Sequence, residues 1–254
     1  MTCADCMTLD GQTCVVTGAS RGIGRAIAEE FGEYGANVVV NYRSSEAKAH
    51  EAAEYIEDET PGAATVVQAD VCDREAVESM HESTTEAFGP ADVLVNNAGL
   101  TVDRTFANMS REDWDRVIEV NLGGVYNCTH AFFDDIVDAD CGRLINISSV
   151  VGQQGNYGQA NYATTKSGLF GFTRTIALEL ARTGSTANCV APGFVETDML
   201  DDVSEEVQAK IVERIPLDRF AEVEDISGIV RFVAGPASSY MTGQVLAVNG
   251  GMEW

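Results

Sequence analysis

Tyr162 and Lys166 stand four residues apart in the stretch NISSVVGQQGNYGQANYATTK, which begins at Asn146. On an α-helix, residues i and i+4 share one face, a turn apart. An ammonium beneath a phenol favours the phenolate and lowers the phenol's pKa. A tyrosine starting from about 10 can then exchange a proton near neutral pH, as acid–base catalysis requires. Ser149 can hold a carbonyl or alcohol oxygen next to that proton. Taken alone, a Tyr and a Lys at this spacing also describe a solvated helix face. The elements around them decide.

Those elements alternate. QTCVVT (12–17) is a short apolar run with β-branched residues, hence a strand. TGASRGIG (17–24) follows and opens a helix to about Tyr34. Its glycines, Gly18, Gly22 and Gly24, let a pyrophosphate approach the backbone at a helix N-terminus, where free N–H groups favour anions. NVVVNY (37–42) is a second strand. An enzyme preferring NAD usually ends this strand with an acid, but here Arg43-Ser44-Ser45 follows. Arg43, with Arg21 from the first turn, points to the 2′-phosphate of NADP(H). Helices over 45–59 and 73–88 flank a third strand at 64–69. After that strand Asp70 either meets an adenine amino group or serves the helix cap near Asp73. A fourth strand (92–96) ends in Asn97-Ala98-Gly99, small enough for a cofactor to lie against the backbone.

Ser110 N-caps a long helix reaching about Asp138. Asn121 lies inside it, where an amide on an apolar face needs partners, and Gly123-Gly124 marks a distortion. A fifth strand (143–148) delivers the Tyr–Lys stretch. A helix to about Arg182, a strand at 186–190, a helix over 225–234 and a strand at 244–248 complete the chain. This alternation predicts an α/β fold, a single doubly wound (Rossmann-type) parallel sheet of seven strands with helices on both faces. Ligands bind beyond the strand C-termini of such sheets, and every motif above falls there. Residues 1–254 form one domain in this reading, with 1–10 a flexible tail and 198–215 a substrate lid.

Composition removes several function classes. The net charge is −24, with three lysines among sixteen basic residues, so no basic footprint for nucleic acid is present. Acid excess with scarce lysine resembles proteins that work in molar salt, where screening suppresses repulsion between carboxylates. No apolar run approaches the roughly 18 residues that span a membrane, and the N-terminus lacks a signal-peptide pattern, which predicts a cytoplasmic protein. Seven cysteines without framework spacing read as reduced thiols. Three scattered histidines supply neither a metal cluster nor a Ser-His-Asp triad.

TGASRGIG, NNAG, the Asn of EVNLGG, ISS…YATTK and PGFVETDM stand together in one order from Thr13 to Gly251. In this the chain resembles the short-chain dehydrogenase/reductase family. The resemblance implies a catalytic tetrad of Asn121, Ser149, Tyr162 and Lys166. Ser149 is chosen over Ser148 because it stands thirteen residues before Tyr162, as in the family. The implied roles are Tyr162 as acid/base, Ser149 polarising the oxygen, Lys166 lowering the Tyr pKa and holding the nicotinamide ribose, and Asn121 holding a relay water. The resemblance also implies cofactor contacts at Gly18, Ser20, Arg21, Ile23, Asp70, Val71, Asn97, Pro192, Gly193, Val195 and Thr197, and usually a homotetramer.

Within the family the chain is similar to reductases of 3-oxoacyl thioesters. That implies substrate contacts at Asp103, Ser149, Asn156, Tyr157, Gln159 and Phe194. Carrier-protein reductases of the family tend to be basic just before the fifth strand, whereas Asp134, Asp135, Asp138 and Asp140 stand here. An acidic carrier would not be steered to that surface, which favours acetoacetyl-CoA. Asn249 replaces the Asp that many members carry before the last Gly pair. NYRSSE also resembles glucose dehydrogenases, so a sugar or alcohol dehydrogenase is the alternative enzyme. A cofactor-sensing protein without turnover is the alternative outside enzymes.

Overall fold

The computed structural model describes residues 8–197 and 204–253. Seven strands form one sheet in the order β3-β2-β1-β4-β5-β6-β7. They are β1 Thr13–Val16, β2 Asn37–Tyr42, β3 Ala63–Gln68, β4 Val93–Asn96, β5 Arg143–Ile147, β6 Thr186–Pro192 and β7 Val245–Val248. Every neighbouring pair is parallel. The strand order reverses direction between β1 and β4, and the crevice at that switch opens beyond their C-terminal ends.

Burial of both faces makes the sheet parallel. In β1, Cys14 and Val16 join one core cluster and Val15 the other. The same alternation places Val38 and Val40 against Val39, Val93 and Val95 against Leu94, and Ile145 and Ile147 against Leu144. Helices α1 Gly22–Glu33, α2 Glu46–Glu59 and α9 Val223–Ala234 supply the first cluster. Helices α3 Arg74–Phe88, α5 Gly124–Asp138 and α7 Ala160–Leu180 supply the second.

Three expectations change in detail. The long helix after Ser110 is not continuous: α4 Arg111–Ile118 passes into a π-turn, Glu119–Gly123, before α5. Ser110 caps α4 as expected, its Oγ accepting from the Asp113 N–H at 3.0 Å. Gly124 lets α5 close onto β3's exit loop, since a Cβ there would lie 2.6 Å from Val71 Cγ2. Within the expected flexible stretch 1–10, Leu9 is part of the core. Leu9 is fully buried and its N–H donates to Tyr34 O, while residues 1–7 lie outside the described residues. Of the lid at 198–215, residues 198–203 also lie outside the described residues. Glu205–Val212 form α8, and Ile215 beyond it is buried.

The turn from β1 to α1 is set by contact with β4's exit. Gly18 and Gly22 take positive φ, 65° and 55°. A Cβ at Gly24 would stand 2.3 Å from Asn97 Nδ2 and 2.4 Å from Gly18 O. Gly24→Ala should therefore push α1 from the turn and cost roughly 1–3 kcal/mol, the range for overpacking. Urea denaturation of the variant against the parent measures it, and equal midpoints would contradict this packing.

Candidate active site

Helix α7 brings Tyr162 and Lys166 to the end of β5. The Lys166 ammonium runs back under the Tyr162 ring, 5.5 Å from its centroid, and donates to Ile147 O at 2.7 Å. Ser149 is the extended N-cap residue of α6 (Val150–Gln154), and its Oγ accepts from Val151 N–H at 3.2 Å. The same side chain acts to lower the Tyr162 pKa. Ser148 turns the other way and donates to Lys166 O at 2.8 Å. Asn121, buried in the π-turn, donates to Leu100 O and to Thr165 Oγ1 and accepts from Leu100 N–H. A Cβ at Gly99 would lie 3.2 Å from Asn121 Oδ1 and 3.6 Å from Lys166 Nζ. Asn121, Ser149, Tyr162 and Lys166 thus converge on one place.

The electrostatics correct one expectation. Tyr162 is not depressed: burial pushes it up to about 12, the Ser149 hydrogen bond pulls it down, and the Asp103 carboxylate adds to the rise. Burial in turn lowers the Lys166 ammonium to about 8. Desolvation penalises the charged form of either group. Cys189, behind the strand end, acts on Lys166 in the opposite sense.

The glycine turn after β1 is held by two amides and a hydroxyl, at the C-terminal ends of β2, β4 and β1. Asn97 Nδ2 donates to Thr17 O and Gly18 O, at 2.9 and 3.2 Å. Thr17 Oγ1 accepts from the N–H groups of Asn97 and Ala98. Asn41 Oδ1 takes the Gly18 N–H, and Asn41 Nδ2 reaches Ala69 O. Asn41 and Thr17 were not expected as site residues. Their signal was an amide ending the apolar run NVVVNY and a hydroxyl opening the glycine turn.

This cradle fits a dinucleotide. Side chains at Gly18 or Gly24 would fill it, as a Cβ at Gly18 would already meet Ala98 Cα at 3.1 Å. Helix α1 has no side-chain cap and no acid in its first turn, so its N-terminal N–H groups suit a phosphate. Ser20 is buried in the turn, Arg21 precedes α1, and Ile23 lies in that first turn. Thr197 Cγ2 would be 3.5 Å from a Gly22 Cβ, which brings Thr197 to the same crevice, while Pro192 ends β6 and Gly193 lines the cavity beside Phe194. Arg43 Nη1 lies 3.9 Å from Asp70 Oδ2, both side chains well exposed. Asp70 also caps the turn into α3 by accepting Cys72 N–H, while Asp73 is the N-cap itself. Val71 is buried against Gly124.

The expected substrate residues divide. Gln159 Nε2 donates to both Asp103 oxygens, at 2.9 and 3.0 Å, and Asn156 Nδ2 donates to Gln159 Oε1. Arg104 N–H to Gly158 O and Asn161 Nδ2 to Val102 O stitch this loop to the start of α7. Tyr157 is 87% exposed and joins none of these contacts. Phe194 instead walls a separate cavity of about 210 Å³ with Ile215, Leu217, Phe220 and Val248.

The profile of the family described as enoyl-(acyl carrier protein) reductase, adh_short_C2, matches residues 18–253. The chain belongs to the short-chain dehydrogenase/reductase family. A 3-oxoacyl-[acyl-carrier-protein] reductase, FabG, of Staphylococcus aureus (strain Mu50) is 45% identical over 241 residues, 95% of this chain and 98% of that protein. A 3-oxoacyl-[acyl-carrier-protein] reductase of Synechocystis is 46% identical over 246 residues, 96% and 98% of the two chains. Among solved structures, a candidate short-chain alcohol dehydrogenase of Sinorhizobium meliloti 1021 superposes with a TM-score of 0.91 at 35% identity, covering 97% and 98%. As a member of this family the protein is an oxidoreductase. No helix among the described residues is long and apolar enough to cross a membrane.

The lowered Lys166 value has a consequence for stability. The folded chain resists the proton, so the penalty is complete below about 8 and is relieved as pH rises toward the unfolded value. Relative to Lys166→Met, the parent should gain about 2 kcal/mol of stability between about pH 7 and pH 9.5. Denaturation at the two pH values in constant salt checks this, and parallel curves would show that Lys166 titrates normally.

Proposed function

We propose that the protein is an NADP(H)-dependent reductase of 3-oxoacyl-CoA thioesters, with acetoacetyl-CoA as the favoured substrate. The observation that carries the reading is Tyr162 with the Lys166 ammonium 5.5 Å from its ring, at the strand end that also presents Ser149, beside a glycine-lined dinucleotide cradle. The names of the relatives support 3-oxoacyl reduction. A nicotinamide held in this cradle would supply the hydride for the 3-carbon. Ser149 and Tyr162 would both donate to the 3-oxo oxygen, and Tyr162 would release its proton as the alcohol forms. A phenol at about 12 is fully protonated at neutral pH, which suits a general acid acting in the direction of reduction. Lys166 would hold the nicotinamide ribose and Asn121 a relay water.

Arg43 and Arg21 support the 2′-phosphate, with Asp70 and Val71 toward the adenine and Asn97, Ala98 and Gly99 along the nicotinamide half. Asp103, Asn156 and Gln159 would face the acyl group. Arg43 lies within reach of Asp70, so its preference acts against a partial neutralisation. Arg43→Ala should raise the KM for NADPH about tenfold, the effect of losing roughly one charge-assisted contact, and leave that for NADH unchanged. Equal shifts for the two cofactors would remove Arg43 from the reading.

The second reading is reduction of a carrier-bound substrate, which the relatives' names favour. Against it stand the exposed Asp134, Asp138 and Asp140 before β5. Asp135 accepts from Ala91 N–H and pairs with His81. A cytoplasmic homotetramer is proposed through α5 and α7, where Tyr126 and Leu178 are 52% and 79% exposed. Operation in molar salt is supported by the charge of −24. A sugar or alcohol dehydrogenase would use the same four catalytic groups.

The deciding experiment is steady-state turnover of acetoacetyl-CoA against a carrier-bound 3-oxoacyl substrate and a sugar panel, with each cofactor, in molar and dilute salt. Acetoacetyl-CoA with NADPH should give the highest kcat/KM. Tyr162→Phe should lower kcat roughly 10²–10⁴-fold, the range for a general acid, with NADPH still bound by fluorescence titration. A higher kcat/KM for the carrier-bound substrate would replace the CoA assignment, and wild-type kcat in Tyr162→Phe would remove the catalytic one.

A further inference from the structure

The first turn of a helix is its least tied part. Its N–H groups have no intrahelical partner, and element ends open more readily than the middle. Tyr162 stands in that turn, as the third residue of α7. Its N–H donates to Asn161 Oδ1 at 2.8 Å. Asn161 is fully buried, and its Nδ2 reaches Val102 O at 3.0 Å. The phenol is therefore aimed by contacts that leave its own helix.

Those contacts run to residues 99–104, the segment after β4, which lies in neither strand nor helix. At one end Asn121 pairs with both backbone groups of Leu100. At the other, Arg104 N–H donates to Gly158 O at 2.8 Å, with Gly158 at a φ of 81°. Gln159 adds the side-chain link. It occupies the N-cap of α7, yet its side chain makes no cap hydrogen bond. The amide turns to Asp103 instead, Nε2 donating to Oδ1 at 2.9 Å and to Oδ2 at 3.0 Å. Asn156 Nδ2 donates to Gln159 Oε1 at 2.9 Å, and Thr101 Oγ1 donates to Asp103 Oδ1 at 2.5 Å. Both polar ends of Gln159 are committed to protein groups. Short polar residues are the usual helix caps, so a glutamine here serves the neighbouring segment rather than the helix. Hydrogen bonds to a carboxylate are among the stronger ones.

We propose that Gln159 is a positioning residue of the catalytic site: by clamping Asp103 it fixes the first turn of α7, and Tyr162 within it, against the loop that Asn121 holds. This role rests on the proposed part of Tyr162 as proton donor. Reacting groups must be held in near-attack geometry, and a displacement of about 1 Å can cost roughly 10²-fold in rate. The Asp103 carboxylate is also near enough to Tyr162 to raise the phenol's pKa. Because the Gln159 amide is spent on Asp103 and Asn156, its loss falls on kcat rather than on the KM for the acyl substrate.

The test uses the full chain with Gln159→Leu, Gln159→Glu and the double variant Gln159→Glu/Asp103→Asn, each checked for an intact fold by circular dichroism. Turnover is measured with NADPH and the 3-oxoacyl thioester that the substrate panel turns over best. Amide hydrogen exchange at the start of α7 is followed by peptide mass spectrometry. Gln159→Leu should lower kcat about tenfold, as a shift of a fraction of an ångström would, with both KM values within about twofold of the parent. Gln159→Glu sets two carboxylates face to face and should lower kcat further. In the double variant the asparagine amide donates to the introduced carboxylate, which restores the clamp with donor and acceptor exchanged, and kcat should return to within about threefold of the parent. The first-turn amides should exchange about tenfold faster in each single variant and at the parent rate in the double one.

An unchanged kcat in a folded Gln159→Leu overturns the proposal, as does a double variant no faster than Gln159→Glu, or a loss confined to the KM for the thioester. Tyr162→Phe in the same assay separates the two claims. Wild-type kcat in that variant removes the proton donor and the clamp's role together, whereas an inactive Tyr162→Phe beside an unaffected Gln159→Leu removes the clamp alone. Exchange needs no substrate and decides where no thioester is turned over: equal rates in the parent and Gln159→Leu overturn the clamp, and faster exchange reversed in the double variant supports it. Where Gln159→Leu does not fold, the double variant against Gln159→Glu decides.

Discussion

The site depends on a buried amine clipped to a strand end. Lys166 is 5% exposed, and its Nζ donates to Ile147 O, the last carbonyl of β5. Removing an ammonium from water is costly, and the cost appears as the fall of its pKa to about 8. The surrounding contacts all close on the same residue. Ser148 Oγ holds the Lys166 carbonyl, and a Cβ at Gly152 would come within 2.8 Å of Lys166 C. Asn121 binds Thr165, the residue before it. Helix α7, the end of β5 and the π-turn are therefore fixed relative to one another through one short segment. Tyr162, a turn earlier, inherits that placement.

Burial shifts the two titratable groups of the pair in opposite directions on the pH scale. The phenol rises and the ammonium falls, because in both cases the neutral form is favoured. A phenol raised to about 12 keeps its proton at neutral pH. The spacing of Tyr162 and Lys166 predicts the reverse shift, since the sequence carries no information on depth. Desolvation at the strand end outweighs a charge that sits under the ring face, itself committed to a backbone carbonyl.

Much of the fold was legible in the chain. Strand and helix alternation, the two-faced apolar pattern of the strands and the glycine turn all follow from local rules, and the seven strands appear near their expected positions. The convergence of Asn121, Ser149, Tyr162 and Lys166 was reached through motif order, since no spacing rule joins Asn121 to Tyr162 across 40 intervening positions. The π-turn was visible only as a glycine pair. The substrate side was least legible, because exposed loops are set by side-chain contacts made across the fold. Gln159 clamps Asp103 from 56 residues away, whereas Tyr157, two positions earlier, stays in solvent.

Buried amides connect these observations. Asn41, Asn96, Asn146 and Asn188 lie in or at the ends of four different strands, each nearly or fully buried. Strand ends leave backbone groups without a ladder partner, and such groups must be satisfied from elsewhere. Asn41 serves Gly18 N–H and Ala69 O, and Asn188 serves Met241 O and Gln244 N–H. Asn96 and Asn146 bond to each other, and reach Thr129 on α5 and Thr173 on α7. An apolar residue at any of these positions would fit the β-pattern equally well but would strand its partners, at about 1–3 kcal/mol for each buried group left unpaired. The amides therefore perform a task that hydrophobic burial cannot. Burial decides which face of a strand is inside, whereas the amides set how the turns and helices meet the sheet.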